Sequence, residues 1–358
     1  MEKTKQQINF HIVPSNATQA PEPKEEKIGG REYVSFGLDN LYPLFLSNLI
    51  ENSPSLSACI DSLSDYVFGH GIEDEVAGEK IVNKNGETFN EVLHNCIIDY
   101  ISYGAFSMQM IGNEFGDVVN IYYMDVRKVR LSEDGKKVWF NKKNWTKWNK
   151  DSVVYDRFNG TRTKNCIFYY KRPTCKTFYG RPLWYSALKH VMTDAQIANF
   201  HYSSITNNFA PSAIVNFNNG KPSEEIQDEI EQKLTEKFTG TENAARMLIS
   251  FNDDQEHATQ IERLTEDNFD TKYDALSKST RENILTAFRV SSALVGIMPD
   301  QTGFNSVEYQ SAFALYKETV VKPIQQEFER ALKRVGINIK LTEFIIDFGD
   351  NAEGGGIA

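Results

Sequence analysis

Tyr309, Phe313, Tyr316, Val320, Ile324, Phe328 and Leu332 recur every three or four positions, which draws one apolar stripe down one face of a long helix. Asn305-Ser-Val-Glu308 is a capping-box sequence at its start, and Gly336 supplies a stop. From 305 to 335 such a helix would span about 46 Å. Pro323 lies in its interior, lacks an N–H and clashes with the preceding turn, so a kink is predicted there. A second helical pattern covers 267–289, and the loop between the two runs from Val290 to Phe304.

Upstream the period changes twice. Leu44, Phe45, Leu49 and Ile50 predict one short helix. Leu56, Ile60, Leu63, Val67 and Phe68 after Pro54 predict a second, ended by Gly69-His-Gly71, and Phe89 to Tyr103 a third. Then come short β-rich runs, 106–111, 118–124, 129–131, 137–140, 153–155 and 166–170, punctuated by Gly112, Gly116, Asp134-Gly135 and Asn159-Gly160. They predict antiparallel hairpins, and with the helices an α+β domain. Gly180-Arg-Pro182 opens a helix over about 183–208, with Leu188, Val191, Ala195, Ala198 and Tyr202 in register. A compact αβ insert follows: a strand at 212–217, a helix at 223–238, a strand at 247–251. Segments 337–341 and 344–348 are expected to be strands that rejoin the first domain.

Composition narrows the function. The 358 residues, 25% charged and 40% hydrophobic, are those of an ordinary globular chain with room for two or three cores. No run approaches 18 consecutive apolar residues. The start, Met1-Glu-Lys-Thr-Lys-Gln-Gln7, lacks an apolar signal core, so a cytoplasmic origin is expected. Cys59, Cys96, Cys166 and Cys175 form no C-x-x-C pair and read as buried free thiols. A net charge of −10 argues against a chain built to grip DNA phosphates, because tight grip needs Lys and Arg to release counterions. Ten acidic residues against four basic ones fall between 221 and 256, a solvated face or a surface that meets a basic partner.

Catalysis has little support. The six histidines show no metal spacing, and neither a G-x-S-x-G elbow nor a Walker A loop occurs. Asp253-Asp254 reads as a turn before it reads as a metal site, so no metal ligand or cofactor is assigned. A rival reading is a nucleic-acid module. The stretch 127–150 holds nine basic and two acidic residues, interleaved with Trp139, Phe140, Trp145 and Trp148. The alternative for that stretch is a solvated hairpin whose tryptophans pack on the sheet.

Several strings, weak singly, stand in a telling order: 179–188 (YGRPLWYSAL), 207–211 (NNFAP), 238–246 (FTGTENAAR), 284–290 (ILTAFRV) and 319–323 (TVVKP). Together they resemble the portal (head–tail connector) proteins of tailed bacteriophages, over roughly 36–348. Residues 1–35, poor in core formers and carrying Pro14, Pro21 and Pro23, read as a flexible arm. The resemblance implies a wing at 36–182, and stem helices at 183–209 and 263–289. It implies a clip at 210–262, a tunnel loop at 290–304, closing wing elements at 305–348 and a flexible tail at 349–358. Ile297, Met298, Pro299, Asp300, Gln301, Thr302 and Gly303 would lie nearest the DNA channel. Glu224, Glu225, Asp228, Glu229, Glu231 and Glu236 would meet the terminase or an adaptor.

Implied partners are further copies in a twelve-subunit ring, duplex DNA, the terminase large subunit, major capsid and scaffolding proteins, and neck proteins. No membrane, cofactor or catalytic residue is implied. The location would be the capsid portal vertex of the virion, and the host cytoplasm during assembly. Two departures stand out. Val290 is followed by Ser291-Ser292 where the family's loop usually begins Val-Pro, and the chain runs only ten residues past Phe348, so a crown is expected to be short or absent. An acidic ring collects no counterion-release affinity along DNA, which suits a polymer that must slide.

Overall fold

In the computed structural model, Ser53 has extended backbone between two helices, and this residue shapes the first layer. Its hydroxyl accepts from Leu56 N at 3.3 Å and, with Pro54 at the first turn, starts α2 (Pro54–Phe68) directly after α1 (Tyr42–Asn52). The structure describes residues 25, 32–114, 117–143, 145, 152–158, 160, 165–174, 177–206, 213–217, 223, 225–226, 247–251, 269–297 and 306–346. A short α3 (Glu75–Gly78), absent from the periodicity, precedes α4 (Phe89–Tyr103). Thr88 and Glu91 form a reciprocal capping box on α4, and Gly104, in the left-handed region, ends it. Packing already includes Tyr33, Val34 and Ser35, so the arm expected to reach 35 ends earlier. Glu25 is also engaged: its carboxylate accepts from the backbone N–H of Phe178 and Tyr179.

Six strands follow at the predicted places: β1 (Ala105–Gly112), β2 (Val118–Tyr123), β3 (Val129–Leu131), β4 (Lys137–Phe140), β5 (Val153–Arg157) and β6 (Asn165–Lys171). They form one sheet in the order β2-β1-β6-β5-β4-β3. The expectation of antiparallel hairpins holds for β1–β2 and for β3–β4–β5 but not for β6. That strand inserts between β1 and β5, antiparallel to the first and parallel to the second at Asp156↔Cys166 and Arg157↔Ile167. Its run Cys166-Ile-Phe-Tyr-Tyr170 does not alternate and is buried throughout, so only a central position satisfies both of its faces. Neighbouring chain covers both edges: Val34 N donates to Leu131 O beside β3, and Ile121 N of β2 to Val82 O.

Cys59, Cys96 and Cys166 are free and buried, as expected; Cys175 lies outside the described residues. One buried acid was not anticipated. Asp99 on α4 is 4% exposed and accepts from Tyr123 Oη at 2.9 Å and Val126 N at 3.0 Å. Burial, with nearby Asp125 as the second cause, pushes its carboxyl up to about 8. The folded chain therefore holds a proton that the unfolded chain has released. Asp99's contribution to stability is complete below about pH 4 and fades as pH rises towards 8, at up to about 1.4 kcal/mol per pH unit. Between pH 6 and 7.5, Asp99→Asn should flatten the fall in denaturant stability by about 2 kcal/mol. A pH profile identical to the parent's would exclude this account.

After β6 the chain reaches α5 (Leu188–Thr206) through a 3-10 turn, Tyr185–Ala187. The helix begins five residues later than expected, because Gly180-Arg-Pro182 is used for a close backbone approach to Gly104. Leu188, Val191 and Ala195 are buried as the periodicity required, but Ala198 and Tyr202 are exposed. β7 (Ala213–Phe217) and β8 (Met247–Phe251) pair in parallel, from Ala213↔Met247 to Phe217↔Phe251. The helix expected at 223–238 lies outside the described residues apart from Ser223, Glu225 and Ile226.

α6 (Phe269–Phe288), α7 (Ser306–Tyr316) and α8 (Lys322–Arg334) complete the fold. Between the last two the helix continues as a π turn, Lys317–Val321, with Lys322 N bonded to Lys317 O. Where the sequence predicts a kink, the helix has a widened turn just before Pro323, whose missing N–H and ring disfavour regular α geometry there. Along the stripe, Phe313, Tyr316, Val320, Ile324, Phe328 and Leu332 are buried within this single chain. Those six positions therefore need no neighbouring copy in a ring to cover them. Among the described residues, the closing segment makes one bridge, Ile72↔Leu341, instead of a strand at 337–341, and 344–346 is in no strand, 347–348 lying outside them. Its groups are taken by other partners: Thr342 N and Oγ1 both donate to Gly71 O, and Gln325 Nε2 donates to Thr342 O and Val67 O.

Candidate functional site

The loop after α6 starts from a rigid base. Val290 N donates to Leu285 O and Arg289 N to Thr286 O, the paired bonds of a Schellman ending. Arg289 occupies the left-handed position, at φ 57°, where glycine is usual. Leu285 and Val290 are both buried, which supplies the apolar contact that accompanies this ending. A 3-10 turn, Ser292–Val295, follows and closes at Gly296 (φ 79°), with Ile297 N donating to Ser292 O at 2.9 Å. Val290 and Leu294 face the core, so Ser291-Ser292 does not leave the loop's entry loose.

Tyr66 of α2 holds this base. Its hydroxyl donates to Leu294 O at 2.7 Å, and its ring meets Phe313, Tyr316 and Phe344 at centroid distances of 5.5, 6.1 and 5.1 Å. One side chain therefore links α2, the loop, α7 and the closing segment. Burial, then a hydrogen bond with Tyr309, raises its hydroxyl above the usual tyrosine range, so it stays a neutral donor. On the other side, Asp194 of α5 accepts from Ser53 Oγ at 2.6 Å and Ser55 Oγ at 3.4 Å, joining that helix to the start of α2. Neither Tyr66 nor Asp194 was singled out from sequence. A tyrosine on an apolar helix face carries no signal that its hydroxyl will meet a loop so distant in sequence.

Of the residues expected nearest the channel, Ile297 is half-buried at the end of the 3-10 turn; Met298, Pro299, Asp300, Gln301, Thr302 and Gly303 lie outside the described residues. Of the acidic set, Glu225 is exposed; Glu224, Asp228, Glu229, Glu231 and Glu236 lie outside them, as do Asp253 and Asp254. Among the described residues no group of three or more His, Cys, Asp or Glu is placed to hold a metal ion.

The 127–150 stretch loses its base-stacking role where it is described. Trp139 and Trp145 are 8% and 4% exposed and cluster with Tyr33, whose ring lies 6.1 and 4.8 Å from theirs. Trp145 Nε1 donates to Lys128 O. These aromatics brace the sheet, while Trp148 lies outside the described residues.

Comparison with known proteins agrees with the architecture. The profile of the phage portal protein family matches residues 83–350. A probable portal protein of Haemophilus phage HP1 (strain HP1c1) is 20% identical over 300 residues, covering 82% of each chain. A chain in the neck of a native GTA particle, computed with C12 symmetry, superposes with a TM-score of 0.53 at 14% identity, covering 83% of both. The crystal structure of an HK97 family phage portal protein from Corynebacterium diphtheriae superposes with a TM-score of 0.50 at 12% identity, over 80% of this chain and 89% of that one. With its α+β fold and a profile match across most of its length, the chain belongs to the phage portal protein family.

Proposed function

We propose that this chain is the subunit of a ring at one capsid vertex, forming the channel through which double-stranded DNA is packaged and ejected. The family match over 83–350 carries this reading, and the twelve-fold symmetry stated for the related neck particle supports twelve as the subunit number. The loop 290–304 faces the DNA, with Ile297 to Gly303 at its tip, on the base that Tyr66 and the Schellman ending hold still. Asp300 is the only charge in that loop, so contact is loose and free of base readout. The acidic insert, through Glu224, Glu225, Asp228, Glu229, Glu231 and Glu236, offers complementarity to a basic packaging motor and later to neck proteins. The subunit has no catalytic role of its own; its site of action is the portal vertex of the virion, after assembly in the host cytoplasm.

Native mass spectrometry and negative-stain imaging of the purified chain test the reading. Closed rings, twelve-fold or nearly so, are expected. A strict monomer across all accessible concentrations would sink it.

A further inference from the structure

Between α1 and β3 lies a cavity of about 170 Å³, lined among others by Asn40, Ser47, Arg127, Arg130 and Trp145. Its polar groups are donors in excess. Asn40 is fully buried at φ 67°; its Oδ1 accepts from Phe36 N at 3.1 Å and from Arg130 Nε at 2.5 Å, which fixes the amide's orientation. Its Nδ2 has no acceptor. Arg130 is 1% exposed, and its described acceptors are all uncharged: Asn40 Oδ1 and the carbonyls of Asn40, Arg127 and Val129. Four of the five N–H groups of a guanidinium are thereby used. The faces of Trp145 and Phe36, 5.1 and 5.8 Å from Cζ, complete its surroundings. Burial lowers its pKa to about 10, although Tyr179 and, more weakly, Asp125 pull the other way.

Other charges nearby do not supply one. Asp125 is held two-pronged by Arg127 at 2.9 Å on both arms, and Arg127 also reaches Ser47 Oγ at 3.3 Å. Glu51, on α1, also lines the cavity but is exposed and has no described hydrogen bond or ion pair with Arg127 or Arg130. The space is several times the volume of a single water, about 30 Å³. An aspartate at 40 would have kept the Oδ1 bonds and neutralised Arg130; the chain instead has an amide that leaves a donor to be met.

We propose that this cavity is a binding site for a small oxyanion, a phosphate or a carboxylate, received by Asn40 Nδ2 and the Arg127 and Arg130 guanidiniums. The proposal does not depend on the ring reading.

The full chain is unfolded thermally in an oxyanion-free buffer, with inorganic phosphate or acetate titrated in and chloride holding ionic strength constant. A saturable rise of about 2 °C is expected; the anion acting at the lower concentration identifies the class. No rise with either anion overturns the proposal. Asn40→Asp, which places a carboxylate oxygen where the orphan donor stands, should raise the midpoint without added anion and abolish the increment. An increment equal to the parent's overturns it too. Should that variant fail to fold, crystals of the parent soaked in selenate should show an anomalous peak between Asn40 and Arg127, and an empty cavity is the contrary result.

Discussion

Replacing Gly104 by alanine should cost about 4 kcal/mol or more, among the larger losses a single residue can cause. Gly104 ends α4 at φ 75°, where an L side chain costs about 1 kcal/mol by conformation alone. The rest comes from overlap. A Cβ there would lie 1.8 Å from Arg181 O and 2.3 Å from Arg181 C, backbone atoms with no rotamer to change. Gly180 closes the contact from the other side, since a Cβ on it would lie 2.5 Å from Gly104 O. Arg172 N donates to that same oxygen at 3.0 Å, so the junction of α4, β6 and the approach to α5 is fastened at one point. Gly86→Ala is the matched control: its φ is 84° but nothing lies within 4 Å of its Cβ, so only the conformational part should appear. Denaturant unfolding of both variants measures the difference. Equal losses would mean that the backbone approach carries no energy.

Those two glycines also show what the sequence could and could not disclose. Gly104 after an apolar-periodic run reads as a helix stop, and a stop it is. That it must also admit another backbone is a tertiary fact with no local signature. The same division runs through the chain. Helices α1, α2 and α4 and all six sheet strands were legible, because each has its own period and its own punctuation. The place of β6 was only half legible: the unbroken run Cys166-Ile-Phe-Tyr-Tyr170 announces a doubly buried strand, but its partners depend on pairing across the sheet. The Schellman ending of α6 was hidden because Arg289 stands where glycine would have announced it. The Thr88-x-x-Glu91 cap, by contrast, follows a pattern that could have been read and was not.

For the site, charge proved a poorer guide than burial. The stretch 127–150 counts as basic, yet Arg130 is in the core and two of its tryptophans are packed on Tyr33. Composition treats every lysine and arginine as surface, and a guanidinium bonded to backbone carbonyls breaks that rule without changing the count. The loop could be placed from the two helices that flank it, but its clasp by Tyr66 could not, because the hydroxyl and its acceptor come together only when α2 and α7 pack.

The long helix supplies the second large effect. Phe328→Ala is expected to cost about 3–5 kcal/mol, because the side chain is fully buried against α4 and β1. Its ring stacks on Phe106 of β1 at 4.7 Å and 16° and meets Tyr100 of α4 edge-on at 5.2 Å. Phe106 in turn contacts Phe168 and Tyr170 of β6, so the aromatic cluster joins α8 to the centre of the sheet. The cavity left by alanine cannot close easily. The two rings against it, Phe106 and Tyr100, are themselves buried, and Phe106 is held in turn by Phe168 and Tyr170. Leu315→Ala, on the opposite face of the same long helix and 66% exposed, should stay within about 0.5 kcal/mol in the isolated chain. Guanidinium unfolding of the two variants separates the cases, and Phe328→Leu, which refills part of the space, should recover more than half the loss. If Phe328→Ala and Leu315→Ala proved equally mild, the late helix would not be integral to the first domain. The rigid base it gives the loop, through Phe313 and Tyr316 against Tyr66, would then lose its support.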